Sequence, residues 1–178
     1  LAAIMQANIK RMLAYSTISH MGFILLAFMA GSIGSTAGLY YAITYALMAA
    51  AGFGILMVLS TDNIECEEIK DLAGLNQRHA WFAFLMLLAM FSMAGIPPLM
   101  GFYAKFGVIM VLLKFHYVWL SVFAVVMSLI GAFYYLRVVK VMYFDEPTHD
   151  QPIGSNYAAK FFLSVNAFLL ILWGIMPQ

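Results

Sequence analysis

Ser92-Met93-Ala94-Gly95-Ile96-Pro97-Pro98-Leu99-Met100-Gly101-Phe102-Tyr103-Ala104-Lys105-Phe106 decides how the rest of the chain is read. It lies inside an apolar run from Trp81 to Phe115, long enough to enter a bilayer. Its middle carries Gly95, Pro97, Pro98 and Gly101. Proline lacks a backbone N–H and clashes with the preceding turn, so two prolines between two glycines predict a helix that opens into an irregular segment. Lys105 follows, with no other charge from Ala80 to Leu113. Broken backbone and a lone ammonium are both costly in lipid, and are tolerated where they line a protein-enclosed or watered path.

Working outward, composition sets the class. The 178 residues are 65% hydrophobic and 10% charged, with mean hydropathy +0.92. A soluble domain is nearer a quarter charged. The expected fold is an all-α integral membrane protein, a polytopic transmembrane helix bundle with one discontinuous helix. A net charge of +1 makes no case for nucleic acid. The single cysteine, Cys66, excludes an intrachain disulfide and a cysteine metal cluster. The chain opens at Leu1 without a signal-peptide pattern, and its first residues read as the tail of an earlier helix. We therefore expect a fragment whose N-terminal part lies upstream.

No soluble domain and no repeat is visible, so residues 1–178 read as one transmembrane domain. Its spans are expected at 13–31, 39–59, 81–115 (broken near 94–101), 118–140 and 158–176. The segment from Gly31 to Gly38 reads as a tight, uncharged turn. Residues 60–79 hold five of the eight acidic residues. Within them, Ile64, Ile69, Leu72 and Leu75 suggest a short amphipathic helix at the surface. The fourth span continues as helix to about Phe144, and Asp145–Ser155, with Pro147 and Pro152, reads as a polar loop.

Whether 81–115 crosses once or twice follows from length and charge. A straight crossing needs roughly 20 residues, so two crossings would leave each half too short. Cytoplasmic loops are enriched in Lys and Arg. One crossing puts Lys10, Arg11, Lys70, Arg78, Arg137, Lys140 and Lys160 on one face and Lys114 alone on the other, seven against one. Two crossings split them five against three. The single, discontinuous crossing is the better reading. It makes the seven-charge face cytoplasmic and puts Lys105 roughly 15 Å inside the Phe115 end, near mid-membrane.

Lys105 is the leading candidate for chemistry. An apolar surround disfavours the charged form of an amine, so such a lysine can take and release a proton. The bland alternative, a stem that snorkels to the interface, is the weaker reading, because a stem of about 6 Å is short for that depth. His20 is the second candidate, near the middle of the first span with Ser16 and Thr17 one turn before it. It could relay protons or be a neutral, satisfied histidine, and residue type leaves both open. Lys10 and Arg11 read first as an interfacial anchor. Tyr41, Thr44 and Tyr45 on one face, Ser128 and Asn166 read first as helix–helix contacts. All eight Asp and Glu lie outside the spans, so a carboxylate partner for Lys105 must come from elsewhere. His79, His116 and His149 are not spaced as a metal site, and neither a phosphate loop nor a nucleophile–base arrangement is present.

Gln6-Ala-Asn8-Ile-Lys10-Arg11-Met-Leu-Ala-Tyr15-Ser16-Thr-Ile-Ser-His20-Met-Gly22 resembles the shared signature of the antiporter-like subunits of respiratory complex I and the Mrp-type cation/proton antiporters. Ala94 through Phe106 resembles their discontinuous twelfth helix. Gly74-Leu-Asn-Gln-Arg78 and Tyr134-Tyr-Leu-Arg137 are most similar to the N-type branch, the bacterial counterpart of mitochondrial subunit 2. The M-type branch has a glutamate where this chain has Lys105, and the L-type branch continues into a lateral helix, which we do not expect here. The similarity covers essentially the whole chain.

The resemblance implies a proton-translocating membrane subunit of an NADH:quinone oxidoreductase, multi-pass in the inner membrane of a bacterial cell. It would be enzymatic only as part of the translocase. Lys105 would be the lysine of the exit half-channel, with Lys10 and His20 also in proton transfer. The family's glutamate on helix five and its lysines on helices seven and eight would lie upstream of Leu1. No cofactor is implied in this chain; NADH, FMN, Fe–S centres and quinone belong to the parent complex. The implied partners are other membrane-arm subunits, the lipid bilayer and protons. Two rivals stand beside this reading: a Na⁺/H⁺ antiporter subunit without redox coupling, and a structural membrane subunit whose Lys105 only pairs with a neighbour.

Overall fold

The computed structural model describes residues 2–60, 66–147 and 157–175. Ile64, His149, Pro152 and Met176 lie outside them. Seven α-helices appear among the described residues: α1 Ile9–Phe28, α2 Gly31–Leu59, α3 Leu75–Arg78, α4 Ala80–Ala94, α5 Met100–Lys114, α6 Val118–Phe144 and α7 Tyr157–Ile175. Short 3-10 turns at Ala2–Met5 and Ile69–Leu72 complete them. The described residues contain no strand, only an isolated bridge between Asn8 and Glu68. Four helices, α1, α2, α6 and α7, are long and apolar enough to cross a membrane. The protein is a multi-pass, all-α membrane bundle.

Helix α1 starts earlier than its apolar run because Asn8 caps it, its Oδ1 accepting the Arg11 N–H at 2.9 Å. The Asn8–Glu68 bridge ties that start to the loop after α2: Ile9 N–H donates to Glu67 and Ile69 N–H to Ala7. Two expectations fail here. The glycine-rich segment Gly31–Gly38 is no turn but the start of α2, and the reversal takes only Met29 and Ala30. Ile69, Leu72 and Leu75 do not form one surface helix. They lie on two single turns separated by Gly74, and all three are buried in the main core.

The same end of the bundle receives the end of α6. Gly74 N–H donates to Val141 and the Arg137 guanidinium to the carbonyls of Ile4 and Gln6. Helix α6 is one continuous rod, so its start, and the end of α5 just before it, lie at the far end. The pair α4–α5 therefore runs through the bundle once, interrupted at Gly95–Leu99. Gly95, at φ +85°, ends α4 in the left-handed region that glycine occupies without strain. Its N–H and that of Ile96 return to Phe91 and Ser92 carbonyls, a Schellman-type stop. The Pro97–Pro98 peptide is cis. Helix α5 then starts tight against the end of α4: a Cβ on Gly101 would collide with the Ser92 carbonyl. The Ser92 hydroxyl accepts the Gly101 N–H at 3.1 Å, and α7 lies over the break with Gly174 beside Pro98 and Leu99.

Candidate functional site at the broken helix

A helix that stops in the interior leaves its last carbonyls without N–H partners. Here a side chain from the following half-helix supplies them. Lys105 Nζ donates to the carbonyls of Met93 at 2.8 Å and Ala94 at 3.0 Å. Its third bond goes to Ser128 Oγ on α6, at 2.9 Å. Lys105 is 8% exposed, and its ammonium also sits 5.8 Å from the centre of the Phe23 ring on α1. Four helices thus converge on one nitrogen. The negative end of α4, about half an elementary charge, faces the ammonium directly. None of the described α-helices carries Asp or Glu, so neutral acceptors alone hold this charge.

His20 occupies a second buried polar centre, 3% exposed. Its Nδ1 meets Tyr41 Oη at 2.9 Å and its Nε2 meets Tyr135 Oη at 3.0 Å. Tyr45 stacks on the imidazole at 4.7 Å and hydrogen-bonds Thr17. Ser16 and Thr17 turn back to the Leu13 carbonyl of their own helix instead of reaching the histidine. The two centres are linked by rings: Phe23 lies over Lys105 and stacks at 5.6 Å on Tyr41, whose hydroxyl holds His20. A groove of about 870 Å³ between α1 and α6 reaches Phe23 and Tyr134 on the other side.

The structure therefore brings Lys105 and His20 into one continuous cluster and leaves Lys10 out of it. Lys10 sits at the start of α1, with its side chain 40% exposed and 3.7 Å from Glu67. Tyr41, Tyr45 and Ser128, first read as contacts between helices, belong to the two centres. Tyr135 and Phe23 were not singled out from the sequence. Tyr135 is 115 positions from His20, so no local spacing links them. Asn166 Oδ1 is buried without a partner among the described residues. No group of His, Cys, Asp and Glu that could hold a metal occurs among them either. Outside the membrane, burial pushes the Cys66 thiol up to about 11, with the Asp71 carboxylate adding to it, so this cysteine stays protonated and inert.

Broken helices and buried ionisable groups are features on which multi-pass membrane proteins build ion paths. The chain belongs to the NADH:quinone oxidoreductase/Mrp antiporter transmembrane family, whose model matches residues 1–131. All of it aligns with NADH-quinone oxidoreductase subunit N of Neisseria gonorrhoeae, at 80% identity, and of Nitrosomonas europaea, at 56%. The chain spans 37% of the length of each of these curated relatives. Among solved structures, a chain of respiratory complex I from Thermus thermophilus with bound aureothin superposes with a TM-score of 0.88. It is 29% identical, over 99% of this chain and 40% of that one. A chain of the Mrp complex from Dietzia superposes at 0.85 with 22% identity, over 97% of this chain and 41% of that one, and so shares the fold.

Proposed function

We propose that this chain is part of an N-type, proton-translocating membrane subunit of an NADH:quinone oxidoreductase, in the inner membrane of a bacterium. The carrying observation is the Lys105 ammonium, buried at the break and held by two carbonyls and one hydroxyl. A carboxylate beside it would lock the charged form. Neutral acceptors leave the lysine able to give up its proton when charge moves elsewhere in the membrane arm. Redox chemistry elsewhere in the complex would drive that movement; this chain carries protons and no electrons. His20, with both ring nitrogens on tyrosine hydroxyls, is the relay neighbour of Lys105. Lys10, half in water and paired with Glu67, belongs at the cytoplasmic mouth instead of in the buried relay. The upstream half-channel and the partner subunits complete the path.

The fold shared with the Mrp chain favours one second reading, a Na⁺/H⁺ antiporter subunit with no redox link. Purification of the full-length protein by an affinity tag from its native membranes separates the two. The proposal predicts co-purifying flavin, Fe–S absorbance and NADH oxidation. A complex of membrane subunits lacking all three would establish the antiporter reading instead.

A further inference from the structure

The Lys105 cradle is built from two kinds of acceptor, and only one of them can change its role. The Met93 and Ala94 carbonyls accept and never donate; the Ser128 hydroxyl does either. An ammonium has three N–H groups, and all three are matched here. A neutral amine has two N–H groups and one lone pair. Its two N–H groups keep the two carbonyls, which belong to the fixed last turn of α4. Its lone pair then faces Ser128 and needs a donor. We propose that Ser128 is the positioning residue for proton release: its hydroxyl turns from accepting to donating as Lys105 changes from ammonium to amine, so that the buried nitrogen is fully bonded in both states. The proton that leaves is the one Ser128 had accepted. The N–H bond breaks as Ser128 Oγ takes that proton and releases its own hydroxyl proton to water, which leaves the hydroxyl donating to the amine lone pair.

The surroundings make this role specific to Ser128. Across the ammonium stands the Phe23 ring, which can attract a cation but cannot donate to a lone pair. No Asp or Glu lies on any described α-helix to compete for the proton. Other buried polar side chains on these helices are engaged elsewhere: Tyr41 and His20 bond each other, Thr44 donates to the Tyr40 carbonyl and Ser92 accepts the Gly101 N–H. Of the three groups that accept from Nζ, Ser128 alone has a proton to return. A cradle of three carbonyls would hold the ammonium equally well and would leave the amine short of one donor.

This inference rests on the reading of Lys105 as a proton carrier, and the experiment separates the two. Threonine and valine have the same shape and differ in the hydroxyl. In the assembled complex, Ser128→Val should slow quinone-linked turnover and proton pumping by about tenfold, the cost of leaving the lone pair of the buried amine without a donor. Ser128→Thr should restore most of the rate at the same assembly on a native gel. Ser128→Ala, smaller than serine, repeats the valine result where the added methyl groups reduce assembly. Valine or alanine variants pumping at the rate of the threonine variant would overturn the hydroxyl switch while leaving Lys105 as the carrier. Lys105→Ala, run in parallel, should abolish pumping; full pumping in that variant would remove the carrier reading and the switch together.

Discussion

His20 is gripped at both ring nitrogens by hydroxyls that can each donate or accept. A neutral imidazole donates from one nitrogen and accepts at the other, so Tyr41–His20–Tyr135 has two arrangements with the same number of hydrogen bonds. Passing a proton in at one end and out at the other converts one into the other. His20→Ala should therefore slow pumping and quinone-linked turnover several-fold, while NADH oxidation by an artificial acceptor stays at the parental rate. Parental pumping per electron with parental turnover would make His20 a packing residue. At this scale Lys105 and His20 were legible because a charge or an imidazole deep in an apolar run is costly. Tyr135 was not, because its link to His20 spans four intervening helices. The carbonyls of Met93 and Ala94 were not legible either, since every residue has one and only the stop at Gly95 frees these.

At the scale of elements, the organising feature is a helix that ends inside the bundle. Gly95, Pro97 and Pro98 announce it in the sequence, because each removes something a helix needs, a Cβ or an N–H. The same logic misleads at Gly31–Gly38. Glycine is a poor helix former in water, but in lipid an unpaired backbone group costs far more than glycine's entropy, so the segment is helical. Whether α4 and α5 cross the bilayer once is an element-scale question. The bonds from Gly74 to Val141 and from Arg137 to Ile4 place the α6 terminus with the start of α1, and the basic residues divide seven to one on the same assumption. A topology reporter placed within residues 60–79 should be cytoplasmic, and one fused after Gln178 should be on the opposite side. Both reporters on one side would require two crossings.

Across the whole molecule, the charges are segregated. Among the described residues, the acidic ones gather at one end, around the bridge between Asn8 and Glu68, and the buried interior carries a single ammonium. Membership of the bundle class was readable from composition alone, because 10% charged residues cannot solvate a soluble surface. The direction in which a proton moves through Lys105 follows from the family resemblance and from no residue pattern in this chain. A lysine that carries protons changes its protonation state during turnover, and Lys105→Arg removes that change. Guanidinium keeps the positive charge and the carbonyl contacts but cannot release a proton at physiological pH. The measurement is protons pumped per electron in the assembled complex, alongside turnover. Proton carriage by Lys105 predicts loss of both by on the order of 10²-fold in Lys105→Arg, the scale of a lost proton-transfer group. Lys105→Glu, which keeps a titratable group, should retain part of the activity. Full turnover and full pumping in Lys105→Arg, with Lys105→Glu inactive, would rule out proton carriage and make Lys105 a fixed charge that caps α4.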